Sequence, residues 1–284
     1  MRSWCCAASE QRRRQFAGAA LLLLSSVPAV AQTPSPLAEW QYSAGRALEP
    51  YFVSPIPEWQ GMAGLAVESA PRYEGARRYE ASGGPLAELR YRDIAFFSSA
   101  EGFGLNLLHG KGYRAGVAAT FDLGRDEDTD PALAGLGDID PAPEAKAFGE
   151  YVPLFPLVLR ADARRALGGH RGWTVDFGAY APAVGNEHFF LMLGPSVTWA
   201  DAENMRHSFG VSAAQSAASA YAPYAPSAGV RDARFGTTAA WLFSESWMLN
   251  FSGAAEWLLG NAARSPLAQA HRQYVGSLVL AYRW

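Results

Sequence analysis

Apolar and polar side chains alternate over most of the chain. Residues 113–123, for example, set Tyr113 and Phe121 on one parity against Arg114 and Asp122 on the other. A period of two residues is the pattern of a β-strand, whose successive side chains point to opposite faces of a sheet. No stretch shows the 3.6-residue period of a long amphipathic helix. The pattern therefore predicts an all-β fold.

About twelve such runs are separated by short stretches of glycine, serine and charged residues, which are typical of turns. The first, third, fifth and ninth runs alternate least clearly, so ten strands is the alternative count. The predicted strands cover roughly 59–68, 84–97, 102–109, 113–124, 145–152, 156–165, 172–181, 187–200, 207–214, 229–243, 247–259 and 272–284.

The spacing of aromatic residues distinguishes a membrane β-barrel from a soluble β-sandwich, whose strands would also alternate apolar and polar residues. Ten residues of strand span about 33 Å, which a tilt near 40° projects to about 25 Å, the height of the lipid-facing band between the two aromatic girdles of an outer-membrane barrel. The spacing therefore predicts a transmembrane antiparallel up-and-down β-barrel over residues 59–284, in contact with outer-membrane lipid. Three aromatic pairs stand ten positions apart on one parity: Phe189 and Trp199, Trp247 and Trp257, Tyr274 and Trp284.

The opposite parity of these strands carries many ionisable side chains. On a lipid-facing surface a charge costs roughly 2 to 4 kcal/mol at the membrane midplane, whereas inside a barrel opposite charges can pair. We therefore predict that these residues line the barrel interior. They are Glu88, Arg90, Arg92, Arg114, Asp122, Arg160, Asp162, Arg164, Asp176 and Glu256.

Residues 1–31 have the plan of a secretory signal peptide. A basic cluster at residues 12–14 precedes an apolar run, and residues 29–31 form an A-x-A cleavage site. Export through this signal, with the twin-arginine route as the alternative, predicts a location in the cell outer membrane. Residues 32–58 are proline-rich without sustained alternation, and we predict that they form an irregular leader.

Removal of the signal changes the composition of the chain. Both cysteines, Cys5 and Cys6, lie within it, so we expect neither a disulfide nor a thiolate metal site in the mature chain. Four of the 24 basic and one of the 27 acidic residues leave with it, which gives the remainder a formal charge of about −6. This balance offers no basic patch for nucleic acid, and no motif predicts a cofactor.

One predicted connection, residues 125–144, is long and acidic. If both ends of the barrel chain are in the periplasm, the connections after even-numbered strands lie there too. Residues 125–144 follow an even-numbered strand and are therefore expected in the periplasm, and the connections 69–83, 213–228 and 260–271 outside. We therefore hypothesise that it is a partner-facing element. A calcium loop is the alternative, although the acidic run lacks the layout of an EF-hand. Its candidate partner-binding residues are Asp126, Glu127, Asp128, Asp130, Asp138 and Asp140.

Two other functions remain open. The serines and histidines permit a hydrolase of outer-membrane lipids, and the absence of a G-x-S-x-G motif decides little for a barrel, but we predict no enzyme and no catalytic residue. A twelve-stranded barrel is narrow enough for its own side chains to fill, so a channel for small solutes or antibiotics is the main alternative to an interaction protein. The histidines are His109, His170, His188, His207 and His271.

Eight short stretches of this sequence together resemble the MipA/OmpV family of outer-membrane proteins. They are Pro71-Arg72-Tyr73-Glu74-Gly75, Gly102-Phe103-Gly104-Leu105, Phe121-Asp122-Leu123-Gly124-Arg125, Leu133-Ala134-Gly135-Leu136-Gly137-Asp138, Gly168-Gly169-His170-Arg171-Gly172, Thr198-Trp199-Ala200-Asp201, Phe209-Gly210-Val211-Ser212 and Ser265-Pro266-Leu267.

The resemblance implies an outer-membrane β-barrel with no established catalytic residues. One family member is regarded as a scaffold between a lytic transglycosylase and a bifunctional penicillin-binding protein, and others are linked to adhesion or antibiotic susceptibility. By resemblance, the expected function is a scaffold of the cell envelope that links peptidoglycan-remodelling enzymes to the outer membrane.

Overall fold

The computed structural model of the protein describes residues 46–51, 55–168 and 172–284. The predicted signal peptide, most of the predicted leader and residues 169–171 lie outside the described residues. The described strands are β1 (Trp59–Pro71), β2 (Tyr79–Tyr91), β3 (Ala95–Ser98), β4 (Gly102–Gly110), β5 (Tyr113–Asp122), β6 (Ala142–Leu154), β7 (Leu157–Ala166), β8 (Trp173–Gly185), β9 (Phe189–Ala200), β10 (Gly229–Leu242), β11 (Trp247–Leu258) and β12 (Arg272–Arg283).

Helices occupy the connections and one segment before the first strand. Two α-helices, α1 (Ala202–Phe209) and α2 (Ala213–Ala218), lie between β9 and β10, and a single turn covers Gly260–Ala263. The 3₁₀ helices are Arg46–Tyr51, Glu127–Thr129 and Pro131–Leu133. None of the helices in these ranges is long and apolar enough to cross a membrane.

The twelve strands close into a single barrel in which each strand pairs antiparallel with its neighbours along the chain. β12 returns to β1, with Leu65 opposite Leu280, so the sheet has no free edge. Closure removes the unpaired backbone groups that an open sheet would expose to hydrocarbon. The predicted antiparallel up-and-down barrel of twelve strands is therefore confirmed.

The two ends of the barrel differ in the length of their connections. At one end, which we call the short-turn end, the connections are residues 92–94, 111–112, 155–156, 186–188 and 243–246. At the other end, the loop end, they are residues 72–78, 99–101, 123–141, 167–172, 201–228 and 259–271. All connections at the short-turn end are short, and all but 99–101 at the loop end are longer, which is typical of outer-membrane barrels.

Two of the predicted strands are wrong, although the total of twelve is right because one of the two is divided and the other is a helix. The predicted strand 84–97 is wrong, because a turn at residues 92–94 divides it into β2 and β3. That turn contains no glycine or proline, and Arg92 adopts its positive φ of 51°. The predicted strand 207–214 is also wrong, since residues 202–209 form α1, whose N-cap Asp201 accepts a hydrogen bond from the amide of Asn204.

The predicted separation of the acidic segment from the other long connections is wrong for the same reason. Because β2 and β3 are separate strands, the connection at residues 123–141 follows an odd-numbered strand. It therefore lies at the loop end, together with the long connections 72–78, 201–228 and 259–271. The hypothesis that the acidic segment faces a partner depended on its lying at the opposite end from these loops, and it is no longer supported.

The outer surface of the barrel is apolar between two bands of aromatic residues. Leu65, near the middle of β1, is 66% exposed on this surface. Phe189, Trp247 and Trp284 lie at the short-turn ends of their strands, and Trp199, Trp257 and Tyr274 lie at the loop ends. Further aromatics extend the short-turn band, as where the rings of Trp59 and Tyr91 pack 4.8 Å apart. Such a surface fits a bilayer.

Candidate functional site

Most of the predicted interior charges lie on the inner face of the barrel. Eight of them are at most 6% exposed: Glu88, Arg90, Arg114, Arg160, Asp162, Arg164, Asp176 and Glu256. Asp122 lies at the loop end of β5, where its carboxylate accepts a hydrogen bond of 2.7 Å from the amide of Gly124. The interior placement of Arg92 is wrong. The turn at residues 92–94 carries its side chain to the surface, where it pairs with Glu58 at 3.0 Å.

Arg160 on β7 is the centre of an ion-pair network across the interior. Its guanidinium lies 2.8 Å from the carboxylate of Glu150, 2.7 Å from that of Asp162 and 3.4 Å from that of Glu101. Arg114 adds a second contact to Glu150 at 3.1 Å. Opposite charges from β5, β6, β7 and the β3–β4 turn therefore meet in one cluster.

Aromatic rings pack beside the same network. Phe96 and Phe148 meet edge to face with ring centroids 5.8 Å apart. The guanidinium of Arg114 lies 5.1 Å from the ring centre of Phe148, within the range of a cation–π interaction. The middle of the barrel is therefore packed with side chains that contact each other.

A second group of interior contacts continues toward the loop end. Arg164 binds Asp176 at 2.5 Å, and the hydroxyl of Thr198 donates to the other oxygen of Asp176 at 2.6 Å. Arg234 then lies 3.4 Å from the Thr198 oxygen and pairs with Glu256 at 2.8 Å. Polar contacts thus connect the inner faces of β7 to β11.

The sequence analysis missed six buried ionisable residues of the interior. Three lie on β6, and its alternation could have identified them, because every second residue from Ala142 to Val152 is buried. One lies in the β3–β4 connection, which was treated as turn sequence. The remaining two lie on β10, on the same buried parity as Gly236 and Thr238. The six are Glu101, Glu144, Lys146, Glu150, Asp232 and Arg234.

The 3₁₀ helix Arg46–Tyr51 lies inside the barrel near the short-turn end. Ala47 and Leu48 are buried in an apolar cluster with inward-facing residues of β6 to β9. Arg46 reaches the interior carboxylate of Glu88 at 2.9 Å. We call this segment, residues 46–51, the luminal helix. It occupies interior space that the sequence analysis assigned to no segment.

Four connections at the loop end pack into one layer, which we call the loop cap: residues 72–78, 123–141, 201–228 and 259–271. Their hydrogen bonds cross between connections, as where the Tyr73 hydroxyl donates to the carbonyl of Leu267 at 3.1 Å. The amide of Gly75 donates to the side chain of Gln273, which is buried on β12. The buried apolar residues that hold the layer together are Tyr73, Ala76, Leu133, Leu136, Val211 and Leu267.

Most of the acidic residues of the loop cap bind backbone amides of their own connection. Asp126 and Asp130 cap the two 3₁₀ helices, and Glu127 accepts hydrogen bonds from the amides of two glycines. Asp138 accepts from the amide of Glu127 at 2.8 Å. Asp128 and Asp140 are exposed. Four of the six residues predicted to face a partner therefore stabilise the local fold.

Three carboxylates meet where the loop cap joins the barrel wall. Glu74 comes from the connection 72–78, Asp232 from β10 and Glu256 from β11, and one oxygen of each lies within 4.8 Å of the others. Arg231 pairs with Glu74 at 3.0 Å. Burial raises the pKa of the Glu74 carboxyl to about 7; Arg231 opposes this rise and the two neighbouring carboxylates add to it. These residues are a candidate metal-binding group.

Comparison with known proteins identifies a family. A family model described as MltA-interacting protein MipA matches residues 63–284. A search of curated proteins finds no significant match.

Solved structures with similar folds are distant. One is the CymD monoaromatic hydrocarbon channel, at 8% identity, with 91% of this chain and 98% of that chain covered and a TM-score of 0.41. Another is a Pseudomonas aeruginosa FadL homologue, at 10% identity, with 89% of this chain and 99% of that chain covered and a TM-score of 0.39. OmpT of Vibrio cholerae is similar at 7% identity, with 80% and 98% covered and a TM-score of 0.38. The family is shown by the match to residues 63–284: the chain is an outer-membrane-type β-barrel that belongs to the MltA-interacting protein (MipA) family.

Proposed function

We propose that the protein is a non-enzymatic scaffold of the outer membrane that binds a lytic transglycosylase. A penicillin-binding protein is the second proposed partner, by the family resemblance. The family's name supports the first partner. The filled interior is the observation that carries the proposal for this chain. Arg160 and its carboxylates and the luminal helix occupy the barrel, and the loop cap forms a packed layer at its loop end, which favours a surface function over transport.

The short-turn end is the proposed binding surface. Short turns usually face the periplasm, and long loops the exterior. Enzymes that remodel peptidoglycan work in the periplasm, so they would meet the turns 92–94, 111–112, 155–156, 186–188 and 243–246. Arg92 and Glu187 are exposed there and bear opposite charges. Charged rim residues of this kind set the specificity and the rate of association.

A crosslinking pull-down from cell envelopes tests the proposal. Tagged full-length protein is compared with a double charge reversal at the short-turn end, Arg92→Glu with Glu187→Lys. The matched control reverses two exposed charges at the loop end, Arg206→Glu with Asp140→Lys. Both variants keep the net charge of the protein.

We expect the unaltered protein and the loop-end control to recover a lytic transglycosylase. The short-turn variant should recover less, because like charges then oppose each other at the interface. Failure of the unaltered protein to recover any peptidoglycan-remodelling enzyme would overturn the proposed function. If only the loop-end control lost recovery of the enzyme, the binding surface would lie at the loop end and not at the short-turn end.

The membrane orientation gives a separate prediction. A cysteine introduced at the exposed position Asp128 should react with a membrane-impermeant thiol reagent in intact cells, because the loop cap faces outward. A cysteine at Glu187, in a short turn, should react only after the outer membrane is permeabilised. Labelling is measured by the mass of the purified protein, and the reverse pattern would contradict the orientation.

A further inference from the structure

We propose that Glu74, Asp232 and Glu256 bind a hard divalent cation, for which Ca²⁺ is the best fit. The ion would join the loop cap to the barrel wall, because Glu74 belongs to the connection 72–78 whereas Asp232 and Glu256 belong to β10 and β11. This cation site is separate from the proposed partner surface, which lies at the opposite end of the barrel.

The spacing of the carboxylates fits calcium. Oxygen ligands lie about 2.3 to 2.6 Å from Ca²⁺, so two ligands on opposite sides of the ion are about 4.6 to 5.2 Å apart. One oxygen from each of the three carboxylates lies within 4.8 Å of the other two. Mg²⁺ demands near-ideal octahedral geometry and gives up its waters reluctantly, so it suits a group already contacted by two guanidinium groups less well than Ca²⁺ does. A donor set of carboxylates alone also favours hard cations over zinc or copper.

Unpartnered oxygens at the same place point independently to a ligand. The Oδ1 atom of Asp232 and the Oε1 atom of Glu256 are buried and have no hydrogen-bond donor among the described residues. Asp232 is fully buried, and Glu256 is 6% exposed. Buried carboxylate oxygens normally have a donor or a metal ion as partner. A cation bound between the three residues would supply that partner.

The neighbouring arginines occupy the other oxygens and leave these two free. Arg231 and Arg234 contact Oδ2 of Asp232 at 2.9 and 3.3 Å, and Arg234 contacts Oε2 of Glu256 at 2.8 Å. Three carboxylates against two guanidinium groups leave one negative charge when all are ionised.

The backbone and the exposure of Glu74 also suit a site. The pairing of β10 with β9 shifts register between Val230 and Asp232, a β-bulge of the kind found at barrel rims that re-aims side chains. Through it the consecutive residues Arg231 and Asp232 both contact the group. The side chain of Glu74 is 31% exposed, which gives a cation in solution a path to the buried oxygens.

Titration of the folded full chain in detergent with CaCl₂, followed by calorimetry, tests the proposal. Glu74→Gln and Glu256→Gln remove one charged ligand each while keeping the side-chain shape. Asp140→Asn is the matched control, since this exposed carboxylate lies in the same loop cap. MgCl₂ is titrated in parallel.

We expect one bound Ca²⁺ per chain, an affinity weakened more than about tenfold by either glutamine variant, and no change in Asp140→Asn. Mg²⁺ should bind more weakly than Ca²⁺. The thermal midpoint of each variant without calcium shows that it is folded, and calcium should raise the midpoint of the unaltered protein but not of Glu74→Gln.

Absence of calcium binding in the unaltered protein would overturn the site. In that case a proton shared between Glu74 and a neighbouring carboxylate would be the partner of the unpaired oxygens. Equal weakening by Asp140→Asn would also overturn it, because the binding would then be diffuse attraction to the acidic cap. Neither outcome bears on the recovery of a lytic transglycosylase, so the two proposals fail independently.

Discussion

Replacing Arg160 by methionine is expected to lower the free energy of unfolding by about 3 to 5 kcal/mol, the usual cost of removing one partner from a buried ion pair. Methionine keeps much of the side-chain length but supplies no donor. The carboxylates of Glu150, Asp162 and Glu101 then lose a cation at 2.8, 2.7 and 3.4 Å, in an interior where water cannot replace it easily. Urea unfolding of the protein in detergent, followed by tryptophan fluorescence, measures the change.

The control for this prediction is Arg92→Met. Arg92 also pairs with a carboxylate, that of Glu58 at 3.0 Å, but both side chains are more than half exposed. Exposed pairs contribute about 0 to 1 kcal/mol, so this variant should stay within that range. The double variant Arg160→Met with Glu150→Gln should recover part of the loss, because it removes one of the unpaired charges. A loss for Arg160→Met no larger than that for Arg92→Met would contradict the network as described.

Placing an arginine on the lipid-facing surface is expected to have the second largest effect. Leu65→Arg lies near the middle of β1, opposite Leu280 and Pro85, and its side chain is 66% exposed. A cation at the membrane midplane costs roughly 2 to 4 kcal/mol. We therefore expect Leu65→Arg to lower the free energy of unfolding from lipid vesicles by that amount, as measured by urea titration.

The control variant places an arginine on the same outer surface but near the membrane interface. Leu154→Arg changes a residue that is also strongly exposed, at 75%, but that lies at the short-turn end of β6. Near an interface the cost falls to about 0 to 1 kcal/mol. If both variants lost the same free energy, or if Leu65→Arg lost none, the exposed surface of β1 would not face lipid.

The sequence predicted the barrel because a strand pattern is local. Alternation assigns each side chain to one of two faces, so Arg114 and Arg160 could be placed inside and Trp247 outside without any knowledge of the pairing. One failure occurred where a local signal is missing, because the turn at Arg92 has no glycine or proline. The other occurred where a signal was overlooked, because Asp201, the N-cap of α1, stands between two predicted strands.

The contacts inside the barrel could not be predicted in the same way. Parity places Arg160 in the interior, but its contact with Glu101 depends on how the strands are staggered around the barrel. The group of Glu74, Asp232 and Glu256 needs in addition the folded connection 72–78, which carries Glu74 to β10 and β11. The position of the luminal helix could not be predicted either, because Leu48 is buried in a cluster with residues of four strands far along the chain. Each of these features joins segments far apart in sequence.

Conductance across a planar lipid bilayer tests most directly the central claim that the barrel is filled by its own side chains and segments. The purified protein is inserted and held at a constant potential in concentrated salt. Because the network around Arg160 and the luminal helix occupy the interior and the loop cap packs at the loop end, we expect no steady current through the inserted protein. A steady, ohmic open pore would contradict it and would favour a channel over a scaffold.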